Sequence, residues 1–195
     1  MVLMRRSSRS VTGLLLLGLA GCGGERKDAE TAIIRADRMV TALRDRAAKV
    51  LPEETKALVD SLQAAQARAA ARDYRAARAT AVGVAGKAIE IANSLAGKST
   101  EFSSAFMAFS AELPQSVERI RHRLSQLPAG SRLPPGLDRA KLEAIKADVP
   151  NWSETWKSAV VDFNNGNLGA AIAKATALKQ KVTEANTLLG LAAQR

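Results

Sequence analysis

The sequence predicts an all-α protein, built as an antiparallel helical bundle or a short array of helical repeats. Alanine, which has the highest intrinsic helix propensity, is the most frequent residue in the chain. Hydrophobic residues make up 47% of the chain but aromatic residues only 4%, so the core is expected to be built from small side chains. Apolar residues also recur at alternating steps of three and four, which is the spacing of one helix face.

The first 21 residues have the organisation of a secretory signal peptide. Residues 1–10 contain three arginines and no acidic residue, and residues 11–20 are apolar around a run of four leucines. This apolar stretch is shorter than the 20 or so residues that a permanent membrane-spanning helix needs. We therefore expect residues 1–21 to be removed on export.

A four-residue motif lies at the end of this segment. Residues 19–22, Leu-Ala-Gly-Cys, resemble the bacterial lipobox at every position. The resemblance implies cleavage before Cys22 and a diacylglyceryl thioether on its sulfur, so that the chain is anchored in a membrane by lipid. It also implies that Gly23, where Asp would favour the inner membrane, directs the protein to the outer membrane, facing the periplasm. The alternative is an ordinary signal peptide in which Cys22 is incidental.

The region that follows the lipobox is predicted as a linker. Residues 22–28 begin Cys-Gly-Gly and continue with four charged residues, a composition typical of a short flexible tether. Removal of residues 1–21 takes away three arginines and lowers the formal net charge from +10 by three, to +7. This charge permits contact with anionic lipid, cell-wall polymer or an acidic protein. A periplasmic location argues against nucleic acid, and a single cysteine excludes an internal disulfide.

The N-terminal helical half is predicted over residues 29–127. A first helix covers 29–51, and Pro52 suits the first position of a second helix. Asp73 is the expected N-cap of a third helix, which Gly97 should end. A fourth helix carries three phenylalanines and is expected to kink or break at Pro114.

The remainder of the chain divides into a loop and a C-terminal helical half. Residues 128–137 are rich in Pro and Gly and are predicted as the one long loop. In the half that follows, 138–195, Pro150 is expected to interrupt a helix. A capping box at Asn151 and Glu154 should then begin the next one.

An internal repeat emerges when the chain is compared with itself at a displacement of 94 positions. Residues 73–77 then fall on residues 167–171, and the apolar stripes on both sides of this turn stay in register. The shared turn, a capping Asp or Asn followed by Tyr or Leu and then alanines, carries more information than the stripes. We therefore predict a duplicated helical hairpin.

The turn resembles that of tetratricopeptide hairpins. Asp73, Tyr74 and Ala77 carry the resemblance in the first copy, and residues 167–171 carry it more weakly in the second. The resemblance implies pairs of antiparallel helices. The two copies are not the tandem units of about 34 residues that define that family.

A basic cluster provides one candidate binding site. Arg119, His122 and Arg123 share a helix face that suits a phosphate group or an acidic partner, although such a run is often only a solvated surface. His122 is the only histidine, and no second histidine or free cysteine is present to complete a metal site with it.

Aromatic residues provide a second candidate site. Trp152 and Trp156 lie four residues apart and, with Tyr74, are candidates for lining a ligand cavity or stacking on sugar rings. The alternative is that both tryptophans belong to the core, because they are in phase with the apolar stripe. The segment 162–167 is similar to a calcium loop, but Ala173 occupies the position of the bidentate glutamate.

No arrangement of residues indicates catalysis, a bound metal or a cofactor. The sequence therefore predicts a periplasm-facing lipoprotein that acts as a non-catalytic adaptor or scaffold for a protein or envelope partner. The alternative is a protein that binds a small molecule or glycan in a cavity between its helices.

Overall fold

The computed structural model describes residues 22–127 and 133–191, and these residues form five α-helices and no strand. This confirms the predicted all-α class. The helices are α1 (Cys22–Val50), α2 (Pro52–Ala70), α3 (Tyr74–Ser125), α4 (Arg139–Asn164) and α5 (Leu168–Leu188). The predicted signal peptide, 1–21, lies outside the described residues.

Helix α3 is the longest element and runs through both positions where a break was predicted. Its 52 residues extend over about 78 Å at 1.5 Å per residue. No helix boundary follows Gly97, since Thr100 donates a hydrogen bond from its hydroxyl to the carbonyl of Ala96 one turn back, within α3. Pro114 stays within the helix because the stripe is buried on both sides of it, at Leu113 and Val117.

Helix α4 is likewise continuous where a boundary was predicted at Pro150. Its N-cap is Asp138, whose carboxylate accepts a hydrogen bond from the amide of Lys141 at 2.8 Å. The capping box predicted at Asn151 and Glu154 is not formed. These two residues lie in the helix interior, and the buried stripe continues from one side of Pro150 to the other.

The helices enclose two hydrophobic cores that share α3. The N-terminal bundle packs α1, α2 and the first half of α3 around one core. The C-terminal bundle packs the second half of α3 with α4 and α5 around the other. The two cores therefore meet within α3, whereas the sequence predicted a division of the chain at the loop 128–137. Residues 128–132 of that loop lie outside the described part of the chain.

Contacts along the helices define their directions. Asp28 near the start of α1 pairs with Arg78 near the start of α3, at 3.7 Å, so these two helices run parallel. In the second bundle, Glu112 of α3 pairs with Lys179 of α5 at 3.1 Å, and Leu191 just after α5 lies beside the end of α3, so these helices also run parallel. Helices α2 and α4 return antiparallel between them. Each bundle therefore has the same up-down-up arrangement.

The segment 22–28, predicted as a flexible tether, is instead the beginning of α1. Arg26 pairs with Glu30 one turn later at 2.7 Å, which favours helix at the charged residues. Ala29 is completely buried, so α1 packs against the bundle within two helical turns of Cys22. Helix propensity and packing together outweigh the two glycines at the start of this segment.

The duplicated hairpin has the same backbone structure in both copies. We call residues 71–73 the first turn and residues 165–167 the second turn. The amide of residue 71 donates to Ala67 and its counterpart, residue 165, to Val161, both at 3.0 Å. The middle residue has a left-handed conformation in each turn, with φ of 64° at Arg72 and 77° at Gly166.

The hydrogen bonds on either side of the turns also correspond. Those donated by the amides of residues 72, 73 and 77 in the first copy recur at residues 166, 167 and 171 in the second. All six buried stripe residues of the first half of α3 have buried counterparts at a displacement of 94, in α5 and its C-cap. These are Ala77, Ala81, Val84, Ala88, Ile91 and Leu95, matched by Ala171, Ala175, Leu178, Val182, Ala185 and Leu189.

The second turn lies at the joint between the bundles. Leu168 is buried in the N-terminal core although it belongs to α5. At Gly169, an added Cβ would lie 2.6 Å from the carbonyl oxygen of Val50 and 2.7 Å from Cδ of Pro52. A glycine is therefore required where the N-terminal end of α5 meets the junction between α1 and α2.

This close approach gives a prediction with a matched control. Gly169→Ala should lower the free energy of unfolding by about 1–3 kcal/mol, because the backbone of the joint must move to admit the methyl group. Gly97→Ala should raise it by up to about 1 kcal/mol, since that glycine lies within α3 with open space around it. Chemical denaturation of both variants checks the pair. Equal effects at the two positions would show that the joint is not tightly packed.

Candidate functional site

A groove between α1 and α3 is the most distinctive surface of the N-terminal bundle. This α1–α3 groove has a volume of about 470 Å³ and is lined by Ala32 and Arg35 of α1 and by Val82, Gly86 and Ile89 of α3, among others. Val82 is 59% exposed and Ile89 is 46% exposed, so two large apolar side chains lie open to solvent along it. Both side chains border the same groove, which makes it a candidate contact surface.

Gly86 lines the groove, although a glycine there is unfavourable for the helix. A glycine in a helix interior is less favourable than alanine by about 1 kcal/mol. An added Cβ at Gly86 would meet no described atom within 4 Å, so packing within the bundle does not require a glycine there. The space above Gly86 therefore suits a group from outside the molecule.

The charge of the groove is slightly positive. Arg78 pairs with Asp28, which balances one charge on the rim. Arg35 lies on the other rim and forms no ion pair with any residue that the structure describes. An acidic partner therefore complements the groove better than a basic one.

The predicted basic cluster lies at the opposite end of the molecule. Arg119, His122 and Arg123, which we call the arginine–histidine patch, lie together beside an open surface cavity of about 670 Å³ near the end of α3. Arg119 donates a hydrogen bond to the hydroxyl of the buried Ser116 at 2.7 Å. The structure therefore brings the three predicted residues together on one face.

The neighbouring Arg121 is separate from this patch. Its guanidinium donates to Glu118 at 2.7 Å and to Ser153 of α4 at 3.0 Å. These contacts tie α3 to α4. Arg121 therefore has a structural role, and the patch keeps a net positive charge from Arg119 and Arg123.

The tryptophans predicted as ligand-lining residues belong to the C-terminal core. Trp152 is only 3% exposed. Trp156 is half-buried and stacks on Phe106, with ring centroids 5.2 Å apart and an interplanar angle of 12°. Phe163 stacks on the same ring at 4.3 Å. Both tryptophans thus pack in the core, and each also borders a small surface cavity, of about 240 Å³ at Trp152 and about 190 Å³ at Trp156.

Tyr74 occupies a different position from the two tryptophans. It is the first residue of α3 and is half-buried, beside a surface cavity of about 490 Å³ that Glu25 and Arg75 also line. It therefore lies at the end of the N-terminal bundle where α1 begins. The three aromatic residues predicted as candidates for lining a cavity are therefore in two separate bundles.

The titratable groups with displaced pKa values are exposed cations. A hydrogen bond from Lys87 to the Glu90 carboxylate raises the pKa of the lysine, and one from Lys56 to Asp60 does the same. A lysine that acts as a base or nucleophile requires the opposite displacement. Within residues 24–127 and 133–191, no group of three or more His, Cys, Asp or Glu side chains is arranged to hold a metal ion.

The chain matches no protein-family model, and no curated protein or solved structure is significantly similar to it. Of the helices that the structure describes, none combines the length and the apolar composition needed to cross a bilayer.

Proposed function

We propose that this chain is a lipid-anchored, non-catalytic adaptor whose α1–α3 groove receives an acidic helix of a partner protein. The observation that carries the proposal is the groove itself, where Val82 and Ile89 are exposed on either side of Gly86. A partner helix that packs in this groove covers both apolar side chains and uses the space above the glycine.

The anchor and its location form the second part of the proposal. The lipobox ending at Cys22 supports attachment to a membrane, and Gly23 supports sorting to the periplasmic face of the outer membrane. Attachment raises the local concentration of the domain at that surface, which favours a partner confined to the same membrane. The positive charge of the mature chain supports an acidic partner.

A second candidate function rests on the arginine–histidine patch. The cavity beside it, of about 670 Å³, is large enough for a small anionic ligand. Two cations without a carboxylate partner among the described residues favour a phosphate or carboxylate group there. The groove is the stronger candidate, because the patch offers little apolar surface to a partner.

Photo-crosslinking in intact cell envelopes tests the adaptor. A photoreactive amino acid at position 89, in the groove, should yield a discrete protein adduct. The same amino acid at Met107, which is 62% exposed in the C-terminal bundle, should not. No adduct at position 89, or identical adducts at both positions, would contradict the proposal.

A matched pair of glycine variants tests the space in the groove. Gly86→Leu should abolish the adduct at position 89 without lowering stability, since leucine favours helix and fills the groove. Gly97→Leu should retain the adduct, because that glycine is also in open space but does not line the groove. Loss of the adduct in both variants would show a general effect on α3 rather than a bound helix.

A further inference from the structure

The two turns of the duplicated hairpin have the same backbone but different surroundings. The second turn lies at the joint between the bundles, and the two residues that follow it, Leu168 and Gly169, contact the N-terminal bundle. The first turn lies at the free end of the molecule. Beyond the start of α1, no described element packs against it.

Residues at equivalent positions of the two turns differ in a consistent way. At a displacement of 94, Arg72 corresponds to Gly166, Tyr74 to Leu168 and Arg75 to Gly169. The first turn and the helix start after it thus have two arginines where the second copy has glycines. Arg72 has a φ of 64°, a left-handed conformation that is strained for a residue other than glycine. Strain that the second copy avoids with glycine points to a function for the arginine side chain.

The same end of the molecule contains the beginning of α1. Helices α1 and α3 are parallel, so the residue at which α1 begins, Cys22, lies at the end where the first turn is found. No flexible linker separates Cys22 from the bundle, because the chain is helical from that residue onward. A membrane that holds Cys22 is therefore close to the first turn.

This end has an excess of unpaired positive charge. Lys27, Arg72 and Arg75 are exposed, and none forms an ion pair with a described residue. Most of the nearby carboxylates form ion pairs or hydrogen bonds with other residues. Asp28 pairs with Arg78, Glu30 pairs with Arg26 and Asp73 caps α3, while Glu25 is the one left without such a contact.

We infer that the basic tip, formed by Lys27, Arg72, Tyr74 and Arg75, docks on the anionic headgroups of the membrane in which Cys22 is anchored. This inference rests on the proposed lipid anchor. Arginine donates paired hydrogen bonds to phosphate, and tyrosine suits the boundary between apolar and aqueous regions. Docking directs the N-terminal end of α3 toward the membrane. The arginine–histidine patch, near the other end of α3, then faces away from the membrane.

The test uses the lipidated protein in vesicles and a fluorophore at the first turn, introduced by Ala71→Cys. The vesicles are phosphatidylcholine, with or without phosphatidylglycerol, and contain a lipid with a quencher on its headgroup. Quenching should be much stronger with phosphatidylglycerol, and high salt should reduce it because screening shortens the range of the attraction. A fluorophore introduced by Asn165→Cys, at the second turn about 45 Å further along α3, should be little quenched in either vesicle.

The double variant Arg72→Gly, Arg75→Gln removes two charges from the tip. The turn should stay intact, because a glycine, Gly166, occupies the position equivalent to Arg72 in the second turn. Each basic residue near an anionic surface is expected to raise the ratio of docked to undocked protein about fivefold. Loss of two such residues should therefore lower this ratio about 25-fold. Arg46→Gln with Lys49→Gln removes two exposed charges near the other end of α1 and should have no such effect.

The outcomes separate the two proposals. Equal quenching with and without phosphatidylglycerol, or equal losses in the tip variant and the control variant, would overturn docking while leaving the anchor intact. Failure of the protein to associate with either vesicle would overturn both the anchor and the docking.

Discussion

Phe106→Ala should destabilise the protein more than any other single aromatic truncation, by about 3–5 kcal/mol. Phe106 is 3% exposed and lies where the two bundles meet within α3. Its ring stacks on both Trp156 and Phe163, and each stacked pair contributes about 0.5–1.5 kcal/mol beyond the burial of apolar area. Truncation therefore removes one large buried ring and two aromatic contacts.

Denaturant unfolding, followed by two signals, measures this effect. Tryptophan fluorescence reports on the C-terminal bundle, since Trp152 and Trp156 are both there, whereas circular dichroism at helical wavelengths reports on both bundles. Because α3 is continuous through both cores, we expect the two transitions to shift together. Met107→Ala is the control, since its side chain is exposed and its truncation should change stability by less than about 0.5 kcal/mol. A shift in fluorescence alone would show that the bundles unfold independently.

Cys22→Ala should abolish lipid attachment and the processing that depends on it. The variant should accumulate as a precursor that retains residues 1–21, and metabolic labelling with a fatty-acid analogue should detect no label on it. Several acyl chains give durable attachment, so wild-type protein should partition into a detergent phase. Ser8→Ala, in the segment expected to be removed, is the control and should be processed like the wild type. A Cys22→Ala protein that is cleaved and partitions like the wild type would contradict the anchor.

Several features that depend on neighbours in the sequence were predicted accurately. The apolar stripes identified the buried faces of the helices, and the internal comparison identified two turns whose hydrogen bonds correspond. Asp73 and Pro52 begin helices as predicted, because capping by a side chain or by proline is a property of one helical turn.

Features that depend on packing between distant segments were predicted poorly. Gly97, Pro114 and Pro150 are local signals for a break, but burial of the stripe on both sides of each residue outweighs the loss of a hydrogen bond or of helix propensity. The continuity of α3 could not be predicted from those signals, and for this reason the two halves were divided at the loop instead of within the helix.

The α1–α3 groove was missed for a different reason. Val82 and Ile89 are apolar residues outside the stripe, and single apolar residues on a surface are common. Their alignment on either side of Gly86 is significant only once α1 lies beside α3. The signal available in the sequence was the presence of glycines inside a segment that otherwise favours helix.

The mass of the mature protein, extracted from membranes and measured intact, tests the central claim most directly. We predict a chain of residues 22–195, with Cys22 as its first residue and with the added mass of a diacylglyceryl group on that cysteine. An unmodified cysteine, or a chain that begins at another residue, would contradict the lipid anchor and, with it, the placement of the basic tip against a membrane.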